Sequence, residues 1–238
     1  MSEVHVSAPH PSKVVFLFDV DNTLLDNDRV TADLRRYLMA EVGAGRTDQY
    51  FTIFEELRKE LGYADYLGAL QRYRVRHPRD PHLLALSRYL VSYPFANRLY
   101  PGSIDAIEHC ARFGPTVILS DGDVVFQPRK VECSGLGEAV DGRVLIYIHK
   151  EQELDDVELR HPAEHYVLVD DKVRILTAVK RAWGARLTTV FPKQGHYAFA
   201  ADVASYPTPD VTIERIGALV EHDLPELLAA ATQRRPGA

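Results

Sequence analysis

Asp19 and Asp21, with Thr23 close behind, follow directly on the apolar run Val14-Val15-Phe16-Leu17-Phe18. That run is rich in β-branched and aromatic residues and lacks a helical period, so it reads as a buried strand. Burying a carboxylate costs several kcal/mol unless something compensates it. Two acids at the mouth of one strand therefore point to a bound metal, a reaction, or both.

Two further apolar runs end in the same way. Thr116-Val117-Ile118-Leu119 leads into Ser120-Asp121-Gly122-Asp123, and His165-Tyr166-Val167-Leu168-Val169 leads into Asp170-Asp171. An aspartate after a strand is often only a turn residue or a helix cap; the coincidence of three such segments carries the argument. Strands separated by helical segments imply a parallel sheet with helices on both faces. Ligands of such sheets bind beyond the carboxyl ends of the strands, near a switch in strand order. Two carboxylates about 4 Å apart repel by about 4 kcal/mol at an effective dielectric of 20. Four acids in one crevice thus require protonation or a divalent cation. Oxygen-only ligands favour a hard metal, and Mg²⁺ suits a site shared with a phosphate. An aspartate beside such a metal can attack an electrophile and form a covalent intermediate.

Phe18-Asp19-Val20-Asp21-Asn22-Thr23-Leu24 resembles the first motif of the haloacid dehalogenase-like hydrolases. Ser120 fits that family's second motif and Asp170-Asp171 its fourth, while Tyr100-Pro101-Gly102 matches the segment that re-enters the core after a cap. The resemblance spans residues 14 to 192. It implies Mg²⁺ held by Asp19, the Asp21 backbone carbonyl and Asp170, with Asp171 acting directly or through water. It implies Asp19 as nucleophile and Asp21 as general acid and base. Dehalogenases of this type lack the second acid, because a halide leaves without a proton; Asp21 therefore favours phosphoryl transfer. Phosphonate hydrolases also replace it and use a cap lysine. Lys59, in Glu55-Glu56-Leu57-Arg58-Lys59-Glu60, reads instead as a solvated residue. Thr23, Ser120, Asp121 and Gly122 are the expected substrate contacts, the last three also being ordinary turn or cap residues. Asp123 is read as a possible cap of the next helix. For the family's third motif, a lysine that steadies the nucleophile, Lys150 is favoured on position and Lys130 is the rival. Glu151 stands where a proline often follows that lysine.

The elements that position these residues follow from the pattern. A chain of 238 residues, 46% hydrophobic and 26% charged, is ordinary for a globular protein. A net charge of −6 argues against a general nucleic-acid surface. Cys110 and Cys133 show no zinc spacing and read as free thiols. Residues 1–13 lack an apolar signal core, and no stretch reaches membrane-spanning length. The expectation is a soluble cytoplasmic protein, monomer or homodimer, with no membrane partner. Residues 25–98 are helical in pattern: one helix through Leu34, Tyr37 and Leu38 to Gly43, a second capped by Asp48 and ended by Gly62, a third over 65–75 and a fourth over 81–91 with proline in its first turn. Four helices after the first strand predict an inserted cap. Its basic run, Arg72 to Arg79, mostly faces water, with one arginine as a candidate for a distal anion; His196 is read as a surface histidine that could touch substrate. Beyond Tyr100 the expected order is helix 103–113, strand 115–119, helix 127–135, strand 143–148, helix 150–159, strand 165–169, helix 172–183, strand 186–191, a short strand at 211–213 and a terminal helix 216–231 bent at Pro225. Residues 1–12 and 232–238 read as loose tails.

The predicted fold is a doubly wound, Rossmann-like α/β core (residues 13–24 and 99–238) carrying an all-helical cap (residues 25–98). The predicted activity is Mg²⁺-dependent hydrolysis of a small phosphorylated metabolite, a phosphate monoester. A phosphomutase, a dehalogenase and a non-catalytic phosphometabolite-binding module are the rivals. The substrate itself is not legible from one sequence.

Overall fold

The last five residues of the first strand, β1 (Ser12–Phe18), are all buried, as expected of a strand covered on both faces. The computed structural model describes residues 11–224. Around β1 lie β2 (Thr116–Asp121), β3 (Val144–Tyr147), β4 (Ala163–Val169), β5 (Leu187–Pro192) and β6 (Val211–Ile213). They form one six-stranded sheet in the order β3-β2-β1-β4-β5-β6, and every pairing is parallel. Phe18 is in register with Ile118 on one side and Val169 on the other. The residues following β1, β2 and β4 therefore emerge along one edge, where the strand order reverses.

Alternation along β1 feeds two apolar layers. Phe16 and Phe18 join Ile118, Val167 and Val169 on one face; Val15 and Leu17 join Val117, Leu119 and Leu168 on the other. The first face is covered by α5 (Ser103–Ala111), α6 (Phe126–Ser134) and α7 (Leu136–Ala139), through residues such as Ile107, Val131 and Leu136. The second is covered by α8 (Leu154–Arg160) and α9 (Val173–Trp183), through Val157, Leu176 and Val179.

Four helices form the insert between β1 and α5: α1 (Asn27–Val42), α2 (Ala44–Leu61), α3 (Tyr66–Arg76) and α4 (Leu83–Val91). Asp26 caps α1 by accepting from the Arg29 amide, and Asp65 caps α3 by accepting from Gly68. The insert is pinned where it leaves and re-enters the sheet. The amide of Asp26 donates to Arg98 O at 2.7 Å, and that of Tyr100 to Leu24 O at 2.9 Å. Two buried acids brace it internally. Asp33 binds Tyr93 and Arg98; Asp80 accepts from Tyr73 at 2.6 Å and Arg46 at 3.0 Å. Phe54, Tyr66, Phe126 and Phe95 form a run of ring contacts from the insert onto the sheet face, so the two share one apolar cluster.

Several boundaries differ from the sequence pattern. The second helix begins at Ala44, with Gly43 at its N-terminal boundary, and exposed Asp48 pairs with Arg35 instead of capping. Gly43, at φ 77°, lets the chain turn straight from α1 into α2. Pro81 precedes α4 rather than sitting in its first turn. The stretch 150–159 is a 3₁₀ turn, Lys150–Gln152, followed by α8. Ile216–Glu221 is 3₁₀, and residues 225–231 of the expected terminal helix, like the tails at 1–10 and 232–238, lie outside the described residues. Both cysteines are free thiols, and among the described residues no helix is long and apolar enough to cross a membrane.

Candidate active site

The residues after β1, β2 and β4 converge as the strand pattern requires. Carboxylate oxygens of Asp19, Asp170 and Asp171 all lie within 4.8 Å of one another, and all three residues are buried. Thr23 knits two of them together: its hydroxyl donates to Asp19 Oδ2 at 3.2 Å and accepts from the Asp171 amide at 3.0 Å. Neither side-chain oxygen of Asp171 meets a hydrogen-bond partner, although the residue is fully buried. Burial pushes its pKa well above the ordinary carboxylate range; Lys172 opposes this, and the charges of Asp170 and Asp19 add to it. Asp170 is likewise pushed up to about 6, chiefly by burial. A cluster of bare carboxylate oxygens with no nitrogen or sulfur ligand fits a hard divalent cation.

Two buried lysines enter this site, one on each acid of the first motif. Lys150 Nζ lies 2.5 Å from Asp19 Oδ1 and 2.6 Å from Asp170 Oδ2. Burial works against its ammonium, but Asp170 and Asp19 outweigh it and hold its pKa well above the usual lysine value. The carboxylate of Asp121 fixes the Lys150 backbone, accepting from its amide at 2.7 Å. Lys130 Nζ lies 2.5 Å from Asp21 Oδ1. The two lysine candidates are thus both in place, on different partners. The Asp21 carboxylate belongs to the Lys130 pair and not to the three-acid cluster.

Ser120, at the end of β2, accepts from Gln127 Nε2 at 2.9 Å. Gly122 makes this possible, because a Cβ there would lie 2.5 Å from Gln127 Cβ. The Gly122 amide is engaged with Tyr147 O at 2.9 Å, and neither Gly122 nor Thr23 lines the cavity described below. In this arrangement Thr23 aligns two of the acids and Gly122 leaves room for Gln127. Asp123 caps α6 by accepting from the Val125 and Phe126 amides.

A cavity of about 260 Å³ opens over Asp19, Asp21, Ser120 and Asp121. Its roof comes from the insert, through Phe54, Arg58, Tyr63 and Tyr66. No member of the Arg72–Arg79 run lines it; Arg72 and Arg76 pair with Glu60 and Glu56 across neighbouring helices. Arg58 is the insert's arginine at the cavity, one position before exposed Lys59. Its partner across the mouth is Tyr197, whose ring lies 5.6 Å from the Arg58 guanidinium and 4.9 Å from Lys172 Nζ. His196 also lines the cavity, its backbone N–H donating to Asp28 at 2.8 Å and its ring Nδ1 lying 2.6 Å from the same carboxylate. Gln194 ties this loop to the first motif by donating to Thr23 O at 2.6 Å. Sequence reasoning missed Lys172, Gln127 and Arg58 as site residues, while Gln194 lies in the loop that His196 had already marked. One signal was present for α6: Gln127 and Lys130 fall at the spacing of its buried face, with Phe126, Val131 and Ser134.

This arrangement offers a carboxylate steadied by an ammonium, a second carboxylate at the same cavity, and a cluster suited to a cation. Comparison with known proteins agrees with that chemistry at the level of family. Residues 14–182 match the haloacid dehalogenase-like hydrolase family. A haloacid dehalogenase-like hydrolase from Burkholderia xenovorans LB400 is 64% identical over 92% of this chain and 99% of that one, with a TM-score of 0.87. The fold is shared with a haloacid dehalogenase-like hydrolase from Bacillus subtilis bound to magnesium (18% identity, 88% of this chain and 98% of that one, TM-score 0.58). It is shared equally with an L-2-haloacid dehalogenase from Xanthobacter autotrophicus with chloropropionic acid covalently bound (19% identity, 88% and 97%, TM-score 0.57). No curated protein matches the chain. The first motif, the acids gathered around it and this close relative lead to one conclusion: the chain belongs to the haloacid dehalogenase-like hydrolases.

Proposed function

We propose that the protein is a Mg²⁺-dependent phosphatase acting on a small phosphate monoester. The observation that carries this reading is the placement of Asp21 on the same cavity as Asp19. A leaving alcohol needs a proton and a leaving halide does not, so a second acid at the reacting centre serves ester cleavage.

In this reading Asp19 attacks phosphorus, the ester P–O bond breaks, and Asp21 delivers its proton to the departing oxygen. Asp21 then takes a proton from water, which attacks the aspartyl-phosphate and releases inorganic phosphate, restoring Asp19 and the proton on Asp21. Lys150 offsets charge on Asp19, and Ser120 with the Asp121 amide binds a phosphoryl oxygen. Mg²⁺ held by Asp19, Asp170 and Asp171, with the Asp21 backbone carbonyl, supplies positive charge beside the transferring group. Residues 25–98 act as the cap, and Arg58, Tyr63 and Tyr66 meet the leaving group. The bare oxygens of Asp171 and the magnesium-bound Bacillus subtilis relative support the metal assignment.

The test is a screen of phosphorylated metabolites for released phosphate, run beside short 2-haloacids for released halide. Phosphate release that is silenced by chelator, restored by Mg²⁺ and abolished in Asp19→Asn is expected. Halide release without phosphatase activity would replace this reading with dehalogenation.

A further inference from the structure

Lys130 is buried to 1% exposure, yet the charge balance around Asp19 is already served by Lys150. A buried ammonium is costly unless its partners are well placed, and here each one is. Besides the pair with Asp21, Lys130 Nζ donates to Asn27 Oδ1 at 3.1 Å. Asn27 Nδ2 donates to the Tyr66 hydroxyl at 3.2 Å, which lies 2.6 Å from Thr31 Oγ1. Thr31 in turn donates to the Asn27 backbone carbonyl at 3.0 Å. The direction of each proton follows. The single hydroxyl hydrogen of Thr31 is committed to that carbonyl, so Tyr66 donates to Thr31 and its oxygen accepts from Asn27. This leaves Asn27 Oδ1 facing Lys130 as an acceptor. A connected set of bonds thus runs from Asp21 through α6 to helices α1 and α3 of the insert.

We infer that Lys130 is a positioning residue for Asp21, and that it fixes the direction of this carboxylate according to how α1 and α3 are seated. The inference rests on the phosphatase reading, in which Asp21 must reach a leaving oxygen at hydrogen-bond distance, about 2.6–3.2 Å. An Asp21 released from Lys130 turns freely between rotamers and meets that oxygen only part of the time.

The experiment compares kcat/KM, which reports the step that expels the leaving group, for an alkyl phosphate and for a nitrophenyl phosphate. The alkoxide needs the proton from Asp21; the nitrophenolate departs without it. Lys130→Met is expected to slow the alkyl ester about 10- to 100-fold, part of the ~10²–10⁴-fold value of a general acid, and the nitrophenyl ester less than about threefold. In an Asp21→Asn background the same substitution is expected to cause no further loss. If Lys130→Met does not fold, as judged by its melting transition, Asn27→Leu carries the test. It removes the acceptor that ties Lys130 to the insert while leaving Asp21 and Lys130 in place, and the same selectivity between esters is expected. Equal losses on both esters, no loss on either, or a further loss in the Asp21→Asn background would overturn the inference while leaving the phosphatase reading intact. A wild-type enzyme that cleaves neither ester, with no phosphate released anywhere in the metabolite screen, removes both.

Discussion

Asp171→Asn should make the metal-free protein more stable while abolishing its response to Mg²⁺. One carboxylate oxygen of Asp171 lies within 4.8 Å of one from Asp19 and one from Asp170, a separation at which two full charges repel by about 3.5 kcal/mol at an effective dielectric of 20. Lys150 is already shared between Asp19 and Asp170, which leaves Lys172 as the main offset for the third acid. Fully buried, with neither oxygen partnered, Asp171 also carries the penalty of an unsatisfied buried group, about 1–3 kcal/mol. Asparagine keeps the shape and removes the charge, so a gain of about 1–2 kcal/mol, or ~2–8 °C in melting temperature, is expected in chelator. Wild type should gain about 2.7 kcal/mol from Mg²⁺ at a hundred times its dissociation constant. The variant should gain far less. Thermal melts of both proteins, in chelator and in Mg²⁺, test the two effects together. A variant that melts lower than wild type in chelator and keeps the full Mg²⁺ shift would refute the electrostatic argument.

Other expectations concern the loop at the cavity and the insert. Gly195 has φ +71°, and a Cβ there would lie 2.4 Å from Asn22 Cβ. Gly195→Ala should cost about 1–3 kcal/mol of stability and reduce turnover by displacing the residue next to Asp21; unchanged melting and activity would refute this contact. Asp80 behaves differently from the acids of the site. Burial raises its pKa, but hydrogen bonds from Tyr73 and His82 and the charge of Arg46 outweigh burial and bring it from 3.8 to about 2. A lowered folded-state pKa means stability that is present above pH 3.8 and lost as pH falls toward 2. The stability gap between wild type and Asp80→Asn should therefore narrow over that window in acid melts, and a constant gap would contradict the assignment.

The acids were legible because a strand displays them. A continuous apolar run followed at once by carboxylates has few meanings, and three such runs in one chain define a shared edge. Lys150 was legible for a similar reason, since it follows an apolar run. Lys130 was legible only as a rival to Lys150, because a buried lysine and a surface lysine look alike in sequence, and its partner Asp21 is 109 residues away. The basic run drew attention by density, yet helix geometry sends Arg72 to Glu60 and Arg76 to Glu56, and the arginine at the cavity is Arg58, outside that run. Helix boundaries failed where glycine mattered more than a capping side chain: Gly43 sets the start of α2 and Asp48 lies within it. Thr23 was recognised as part of the site, but its role depends on the Asp171 amide, 148 residues on.

The pairing of Asp19 with Lys150 joins positions 131 residues apart. A nascent polypeptide carries the first carboxylate from the outset and acquires its counter-charge only after more than half of the chain has been made. Until then this acid has no low-energy place inside a compact core, so β1 cannot settle permanently in an amino-terminal fragment. Lys150 follows β3 and precedes β4, so compensation of the Asp19 charge is tied to assembly of the second half of the sheet.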